Sequence, residues 1–281
     1  MSTYNRVVFD KRIGGDWIRV VDLFPLQHRY LHFEHSIQGV MSLLDHTVPV
    51  LEYVGLMCYA VRELAHHPPR VLIGGLGSCT ALHFIDRLWR HTSDIVTVEI
   101  NPAVIDLGRR FFRLTRQHQV VEDDLRAVLE GGASSVRVPA PWDLVIVDCY
   151  SSQFVPASLM SVEFMELVRT RTAPDGLAVF NLWSPNCNRI CGHQVRTILE
   201  VFETVAVLHC REDDNLLLFA SPQRHFPWPT KVYFKGLRYP FAVYQKRFES
   251  FWPGFLRDSS VIDDAGADRY LQHQNEIFET P

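Results

Sequence analysis

The sequence predicts an α/β fold organised around a mainly parallel sheet that binds a nucleotide-like ligand at one edge. A short apolar run at residues 71–74 leads into a glycine turn, and a helical apolar pattern follows over residues 81–90. Strand, tight glycine turn and helix in this order open a nucleotide-binding unit. Two further apolar runs end in acids, Glu99 and Asp148. Because parallel strands end at the same edge of a sheet, these acids are expected beside the glycine turn.

Composition limits the class of protein. The chain has 281 residues, of which 47% are hydrophobic and 21% charged, and this suits one large domain with attachments. A net charge of -4 and a pI near 6.3 argue against a nucleic-acid-binding surface. Apolar stretches fall short of the ~18 residues that span a bilayer, and the first residues lack a signal-peptide core. The six scattered cysteines indicate reduced thiols, so we expect a cytoplasmic protein without nucleic-acid or membrane partners.

Three segments differ in their residue pattern. Residues 1–44 are β-like, with a hairpin signal at Gly14-Gly15-Asp16, and predict a small N-terminal β-strand domain. Residues 45–221 alternate helices and strands, beginning with a buried helix over residues 49–65, and predict a Rossmann-like nucleoside-binding domain. Residues 222–281 are rich in aromatic residues and proline, with weak periodicity, and predict an extension that serves as a cap, a dimer arm or a tail.

Gly75 and Gly77 form the predicted ligand turn. Glycine lets the backbone turn sharply and lets a ligand approach without meeting a Cβ atom, and the following helix offers free N–H groups. The third glycine of the GxGxxG pattern is missing, so the turn by itself fits a plain strand–turn–helix equally well. The acids favour the ligand turn. Glu99, about 20 residues later, is placed to accept hydrogen bonds from ribose hydroxyls, and Asp123 and Asp124 follow the third apolar run.

The fourth and fifth predicted strands carry the candidate chemistry. Asp148 ends the fourth strand, and we predict that it holds or deprotonates an acceptor. A hydrogen bond to the donor or to a loop backbone is the alternative. Tyr150 lies two residues further on and either lines the acceptor pocket or simply packs. Asn181 and Trp183, at the end of the fifth strand, are candidate acceptor contacts, with core packing as the alternative for Trp183.

The closing elements predict an antiparallel end to the sheet. A turn at residues 174–176 precedes the fifth strand, and a helix over residues 188–202 follows it. Two strands, residues 205–209 and 215–220, are separated by Glu212-Asp213-Asp214. This helix–strand–turn–strand ending is typical of transferases that use S-adenosylmethionine (AdoMet).

Four histidines lie close together in the N-terminal segment: His28, His32, His35 and His46. Their spacing completes no known metal site, because no cysteine or acid joins them at ligand spacing. We interpret them as solvated or core residues and expect no bound metal.

Six segments, QGVMSLLD, VLIGGLGSCT, VTVEINPAVIDLGRRFF, EDD, DLVIVDCYSS and APDGLAVFNL, carry a family resemblance over residues 6–220. Together they resemble the spermidine synthase (polyamine aminopropyltransferase) family within the class I AdoMet-dependent methyltransferase superfamily. The resemblance implies a seven-stranded Rossmann-like AdoMet-dependent transferase fold behind a small N-terminal β-domain. It also implies AdoMet or decarboxylated AdoMet as co-substrate and a homodimer.

The resemblance also implies roles for individual residues, by position in the matching segments. Asp148 would accept a proton from the attacking amine, and Glu99 would bind the ribose. The residues that would contact the nucleoside are Gln38, Gly75, Gly77, Glu99 and Asp123, with Asp124 as a close second to Asp123 beside the adenine.

Two departures from the family pattern concern the acceptor. Ser151 stands where the family has a second acid three residues after Asp148, and the nearest match to its Tyr-x-Glu is Tyr53-Val54-Gly55, without the acid. Those acids grip the two ammonium ends of a diamine, and each lost charge-assisted hydrogen bond is worth roughly 1.5–3 kcal/mol. Glu52 would replace one of them only if the helix rotated.

We therefore interpret the chain as a transferase that moves an alkyl group, in the first place a methyl, from a sulfonium donor to a small-molecule acceptor. Aminopropyl transfer from decarboxylated AdoMet, transfer or cyclisation of the aminocarboxypropyl arm, and a non-catalytic binding relative are the alternatives. The predicted acceptor site has Asp148 and Tyr150 as catalytic groups, and Tyr53, Ser151, Asn181 and Trp183 as substrate contacts.

Overall fold

The computed structural model describes residues 5–34, 36–64, 69–89, 94–132, 141–151, 154–240, 242–243 and 254–275. His35 and the predicted ends of two helices, residue 65 and residue 90, lie outside this range. The six cysteines are all described and all free. No helix within these ranges is long and apolar enough to cross a membrane.

The N-terminal segment forms a four-stranded antiparallel sheet with strands in chain order. Its strands are β1 (Asn5–Ile13), β2 (Asp16–Leu23), β3 (His28–Phe33) and β4 (Ser36–Ser42). The predicted hairpin is present between β1 and β2, where Gly14 and Gly15 have φ angles of 63° and 106°. Ile18, Val20 and Leu31 are fully buried and fix this sheet against the rest of the core.

The strands that follow β4 in the chain are β5 (Arg70–Gly74), β6 (Asp94–Glu99), β7 (Gln119–Glu122), β8 (Trp142–Val147), β9 (Thr172–Trp183), β10 (Thr204–His209), β11 (Asn215–Ser221), β12 (Lys231–Phe234), β13 (Leu237–Pro240) and β14 (Ala242–Val243). Eight of these described strands form the main sheet, in the order β14-β10-β11-β9-β8-β5-β6-β7. β5 to β9 pair in parallel, and β11 runs antiparallel to both β9 and β10. Without the two-residue β14, this is the predicted seven-stranded Rossmann-like sheet, and the fold prediction is confirmed.

Helices cover both faces of the main sheet. They are α1 (Glu52–Leu64), α2 (Thr80–Leu88), α3 (Pro102–Phe111), α4 (Leu125–Glu130), α5 (Val162–Arg171), α6 (Cys191–Val201) and α7 (Ala267–Asn275), with a 3-10 turn at Ala157–Leu159. Alternate residues of β5 enter different cores, as expected for a strand covered on both sides. Val71 and Ile73 join the core under α1 to α3, whereas Leu72 joins the core under α4 to α6.

Three element boundaries differ from the sequence predictions. The proposed turn at residues 174–176 lies inside β9, because Thr172 pairs with Trp142 but Leu177 pairs with Leu144, so the residues between them form an irregularity in a continuous strand. The helix expected over residues 188–202 begins at Cys191, since Asn188 accepts the Ile190 N–H and closes a turn first. The helix expected from residue 49 begins at Glu52.

The C-terminal segment packs on α1 through the β12–β13 hairpin. Gly55 in α1 makes room for it, because a Cβ atom there would lie 2.1 Å from the ring of Phe234. Phe234 and Tyr239 of the hairpin are buried, and Lys235 Nζ donates a 3.0 Å hydrogen bond to the Val50 carbonyl. The boundaries predicted at residues 44 and 221 stay predictions.

Candidate active site

One cavity of about 840 Å³ opens where β5, β6, β8 and β9 end. The structure brings every sequence-predicted site residue to its wall. They are Gln38, Tyr53, Gly75, Gly77, Glu99, Asp123, Asp124, Asp148, Tyr150, Ser151, Asn181 and Trp183. Their individual roles stay predictions, and the contacts below define what each one is free to do.

The glycine turn is packed tightly between two other parts of the site. Gly75 has a φ of +91°, and a Cβ atom there would lie 2.2 Å from the Asp148 carbonyl oxygen. Gly77 has a φ of +49°, and its Cβ atom would lie 2.9 Å from the Gln38 carbonyl oxygen. Both positions therefore need glycine for conformation and for space. The glycine turn therefore packs against both β4 and the end of β8, and all three line the same cavity.

Glu99 is held in place by backbone N–H groups on both of its carboxylate oxygens. Leu76 N donates to Oε2 at 3.0 Å, and Asn101 N donates to Oε1 at 2.8 Å. Burial raises the pKa of this carboxyl, while the backbone hydrogen bonds act in the opposite direction. These hydrogen bonds hold the carboxylate beside the glycine turn, and its contact with a ribose stays a prediction.

The two acids after β7 have different surroundings. Asp124 is the N-cap of α4, because its side chain accepts the Ala127 N–H at 3.1 Å. Its own N–H donates to Asp123 Oδ1 at 2.9 Å, and Asp123 N donates to the Glu99 carbonyl at 3.3 Å. Asp124 is committed to the helix start, so Asp123 is the better placed of the two for a ligand contact.

Asp148 lies at the floor of the cavity, where the sheet fixes its backbone. Its N–H donates to the Gly74 carbonyl at 3.0 Å, and its Oδ1 accepts the Asn181 side-chain amide at 2.8 Å. The Tyr53 hydroxyl donates a further hydrogen bond to the carboxylate. Burial raises the pKa of Asp148 to about 6, and the hydrogen bonds from Asn181 and Tyr53 lower it. The group is thus ionised at neutral pH and able to take up a proton.

Two aromatic rings form the wall next to Asp148. Tyr150 and Trp183 stack with ring centroids 5.8 Å apart and an interplanar angle of 23°. The Tyr150 hydroxyl donates to the Asn181 carbonyl at 3.1 Å. Trp183 therefore both packs and lines the cavity, so the two alternatives considered for it are compatible.

The departures from the family pattern are visible in the structure. Ser151 is exposed and closes its own loop, because its N–H and its hydroxyl both donate to the Phe154 carbonyl, at 2.8 and 3.1 Å. Glu52 is only 1% exposed, is absent from the cavity wall, and accepts hydrogen bonds from the Tyr239 hydroxyl and, at 2.6 Å, from Glu212 N. It does not replace the missing helix acid.

Asp16, Asp213 and Asn215 are among the polar residues that line the cavity and that the sequence analysis did not assign to the site. Asp213 and Asn215 come from the turn between β10 and β11 and the start of β11. Asp213 Oδ2 accepts the Tyr53 N–H at 2.9 Å, and Asn215 Nδ2 donates to Asn181 Oδ1 at 2.8 Å. The sequence signal was the acidic run Glu212-Asp213-Asp214, which we interpreted as a turn between strands.

The charge of the cavity wall has one sign. Its six carboxyl groups are Asp16, Glu99, Asp123, Asp124, Asp148 and Asp213, and no Lys, Arg or His is among the described residues that line it. Within the described ranges no group of three or more His, Cys, Asp or Glu is arranged to hold a metal ion. His46 and His83 instead pack edge to face at 4.8 Å, and Tyr30 stacks with His32 at 5.8 Å.

A family model described as "Spermine/spermidine synthase domain" matches residues 52–209, more than half of the chain. The chain belongs to the spermine/spermidine synthase family. The predicted resemblance is thereby confirmed, and the matched segment contains most of the cavity wall, from Tyr53 to Trp183.

The curated relatives of this chain are named either as aminopropyltransferases or as a methyltransferase. A polyamine aminopropyltransferase of Chromobacterium violaceum is 30% identical over 162 residues, 56% of this chain and 58% of that protein. An N-terminal histidine N-methyltransferase of Emericella nidulans is 26% identical over 233 residues, 75% of this chain and 41% of that protein. The chain thus spans between about a quarter and three fifths of the length of the curated relatives it matches.

Solved structures support the fold. A probable spermidine synthase from Corynebacterium glutamicum superposes with a TM-score of 0.71 at 21% identity, covering 92% of this chain and 96% of that one. Human methyltransferase-like protein 13, in complex with SAH, superposes with a TM-score of 0.50 at 21% identity, covering 61% of this chain and 80% of that one.

Proposed function

We propose that this chain is an AdoMet-dependent transferase that moves an alkyl group, in the first place a methyl, from a sulfonium donor to a small amine acceptor. The observation that carries the proposal is the cavity wall with six carboxyl groups and no described cation. A sulfonium donor and a protonated amine acceptor are both cations, and a negatively charged cavity wall attracts both. The family membership of the chain supports the same class of donor.

The donor would lie across the glycine turn. Glu99, which the Leu76 and Asn101 N–H groups hold in place, would accept hydrogen bonds from the ribose hydroxyls, and Asp123 would lie beside the adenine. Gly75 and Gly77 would let this turn pass close to the Asp148 and Gln38 carbonyls while it lines the donor site. Gln38, whose amide donates to the Ser36 hydroxyl at 3.1 Å, would close the nucleoside site from β4.

The acceptor would lie between Asp148 and the ring pair of Tyr150 and Trp183, within reach of Tyr53, Ser151 and Asn181. The acceptor would bind as an ammonium ion and give one proton to Asp148, which frees the lone pair on its nitrogen. This lone pair forms the bond to the donor carbon as the sulfur–carbon bond breaks, and the electron pair of the broken bond stays on sulfur. A carboxylate with a pKa of about 6 suits this role near neutral pH.

The choice of a methyl rests on the acceptor end of the cavity. Ser151 and the turned-away Glu52 leave the diamine-gripping acids of the family without counterparts. The relative that aligns with 75% of this chain is named as a methyltransferase.

Aminopropyl transfer is the second candidate, and one observation favours it. The carboxylate of AdoMet would meet no described cation in the cavity wall, whereas decarboxylated AdoMet has no carboxylate to satisfy. Transfer or cyclisation of the aminocarboxypropyl arm and a non-catalytic binding relative stay open as well.

The product nucleoside distinguishes these reactions. We would incubate the protein with AdoMet or decarboxylated AdoMet and a panel of amines, and identify the released nucleoside by mass spectrometry. S-adenosylhomocysteine from AdoMet is expected for methyl transfer. Methylthioadenosine from AdoMet would indicate aminocarboxypropyl chemistry, and methylthioadenosine from decarboxylated AdoMet would indicate aminopropyl transfer. Either of these as the main product contradicts methyl transfer, and release of neither nucleoside favours a binding relative.

The homodimer and the cytoplasmic location are also predictions carried by the resemblance and the composition. Sedimentation velocity on the purified chain and imaging of the tagged protein in its own cell test them separately.

A further inference from the structure

We propose that Asp213 and Asn215 are positioning residues, which hold the two side chains that hydrogen bond to Asp148. The importance of Asp148 for the reaction rests on the proposed function above, but the positioning itself does not. Asp213 and Asn215 lie two residues apart at the β10–β11 connection, a part of the chain to which the sequence assigned no role in the site.

The first half of this arrangement is a helix cap made by a distant segment. The first N–H groups of a helix have no partner within the helix. Asp213 supplies one for α1, because its Oδ2 accepts the Tyr53 N–H at 2.9 Å and its carboxylate also accepts the Glu52 N–H. Tyr53 is the second residue of α1, so Asp213 fixes the start of the helix from which the Tyr53 hydroxyl reaches Asp148.

The cap is reciprocal. Glu52 Oε2 accepts the Glu212 N–H at 2.6 Å, so each segment supplies a carboxylate to the backbone of the other. A local capping box has the same logic within one helix turn, but here the partners are 160 residues apart. The buried Tyr239 hydroxyl also donates to Glu52 and ties the β12–β13 hairpin to the same point. Rotation of α1 would break several bonds at once.

The second half of the arrangement concerns Asn181, the other partner of Asp148. Asn215 Nδ2 donates to Asn181 Oδ1 at 2.8 Å, which leaves the Asn181 amide nitrogen to point at Asp148. Both asparagines are only 5% exposed. Because an amide has its donor and its acceptor on opposite sides, the bond from Asn215 selects the orientation in which Asn181 donates to Asp148.

The consequence is a control of how easily Asp148 ionises. Hydrogen bonds donated to a carboxylate stabilise its charged form and lower its pKa, against the effect of burial. Loss of the Tyr53 or the Asn181 bond would raise the pKa of Asp148 above its present value. Besides Tyr53, the titratable groups near Asp148 are Cys58 from α1 and Cys149 and Tyr150 from its own loop. The negative charge of Asp213 lies near Tyr53 and contributes to the raised pKa of the Tyr53 hydroxyl.

The test measures the pKa of Asp148 directly, in protein without donor. Protein labelled with ¹³C in the aspartate carboxyl groups is titrated by NMR, and the Asp148 signal is assigned from its loss in Asp148→Asn. Asp213→Ala and Tyr53→Phe are each expected to raise the pKa of Asp148 by about one unit. The double variant should shift it no further than Tyr53→Phe alone. Asp213→Asn should stay near the wild-type value, because an amide oxygen still accepts the Tyr53 N–H.

Control variants keep the inference falsifiable. Asp214 lies on the same turn, accepts hydrogen bonds from Ser184 and Asn186, and is absent from the cavity wall. Asp214→Asn should therefore leave the pKa of Asp148 unchanged. If Asp213→Ala does not fold, Asn215→Ala tests the Asn181 side and should likewise raise the pKa. An unchanged pKa in Asp213→Ala or Asn215→Ala, or additive shifts in the double variant, contradicts positioning. If Asp213→Asn raises the pKa of Asp148 as much as Asp213→Ala does, the result contradicts the cap, because the charge of Asp213 and not its hydrogen bond to Tyr53 would then set the pKa.

The outcomes separate this inference from the proposed function. A raised pKa in the variants of a protein that transfers no alkyl group would support the positioning and contradict the transfer. Turnover by a wild type whose Asp148 pKa is insensitive to Asp213 and Asn215 would do the opposite.

Discussion

The side-chain amide of Asn181 donates a 2.8 Å hydrogen bond to the carboxylate of Asp148, from the end of one parallel strand to the end of its neighbour. The bond is possible because β8 and β9 pair in parallel, so that their carboxyl ends meet at one edge of the sheet. Asn181 was predicted as an acceptor contact, and the structure makes it also a partner of the candidate base. Since this partner is neutral, it lowers the pKa of Asp148 only in part, and burial holds that pKa at about 6.

Asp148→Asn is expected to keep the fold and most of the donor affinity while the transfer rate falls by about 10²–10⁴. The amide has the same size but cannot take up the acceptor proton. The measurement is single-turnover release of the spent nucleoside, with Asp175→Asn, an exposed acid away from the cavity, as the matched control. Transfer at the wild-type rate would leave Asp148 a structural residue, and loss of donor binding would place it among the nucleoside contacts.

The same variant should be more stable than the wild type near neutral pH. The pKa of Asp148 is about 6 in the folded protein, against an ordinary aspartate value of 3.8 when the chain is unfolded. Folded protein therefore holds this proton more tightly, and stability is lost as the pH rises from about 4 through 6. The Asp148→Asn variant carries no such cost, so its free energy of unfolding should exceed that of the wild type by about 1–3 kcal/mol at pH ~7.5 and by little at pH ~4. Urea titrations at the two pH values measure it, and equal stability at the higher pH would argue against the raised pKa.

Glu99→Ala is expected to weaken nucleoside binding by roughly 2–4 kcal/mol, because two hydrogen bonds to the ribose are lost. Thermal-shift titrations with AdoMet compare it with Glu122→Ala, which removes an exposed acid at the end of the neighbouring strand. Glu99→Gln separates the ligand contact from the backbone contacts to Leu76 and Asn101, since the amide oxygen still accepts one of them. Equal affinity in Glu99→Ala and Glu122→Ala would remove Glu99 from the donor site.

Gly75→Ala should be far more damaging than Gly15→Ala, although both positions have a positive φ. At Gly15 an added Cβ atom meets nothing within 4 Å, so only the conformational cost of about 1–2 kcal/mol is expected. At Gly75 the Cβ atom would overlap the Asp148 carbonyl, and the glycine turn must move away from the end of β8. Urea unfolding measures the difference, and AdoMet binding should be lost in Gly75→Ala alone. Similar stabilities would mean that the turn is not packed against Asp148.

The chain is expected to be a poor spermidine synthase. Ser151 closes its own loop and Glu52 is bound by Tyr239 and Glu212, so a diamine meets neither of the acids that grip it in the family. Putrescine and decarboxylated AdoMet are supplied together, and methylthioadenosine is followed. Turnover on the order of 1–10³ per second, as is typical of enzymes, would contradict this expectation. Ser151→Asp is the matched variant and should improve use of the diamine.

The sheet and its acids were predictable because their signals are local. Each strand is a short apolar run, and Glu99 and Asp148 follow directly, so sequence order alone puts them at one edge. The N-cap role of Asp124 has a local signal as well, an aspartate just before an apolar helical run, but its nearness to Asp123 left the two acids ranked only as first and second.

The remaining features depend on pairing and helix rotation, which the sequence pattern does not determine. Residues 174–176 have the composition of a turn. They nevertheless lie within β9, as an irregularity in its pairing with β8. The direction of Glu52 follows from the contacts of α1 with the β10–β11 turn and the C-terminal hairpin. Asp213 and Asn215 reach the cavity only because β11 inserts next to β9, a contact between segments far apart in the chain.

Calorimetric titration of the wild-type protein with AdoMet, decarboxylated AdoMet and methylthioadenosine tests the central claim most directly, because it asks whether the cavity binds this class of nucleoside at all. We expect saturable one-site binding of a sulfonium donor that is weakened in Glu99→Ala and unchanged in Glu122→Ala. Absence of binding heat with all three nucleosides, in protein shown to be folded, would contradict the account.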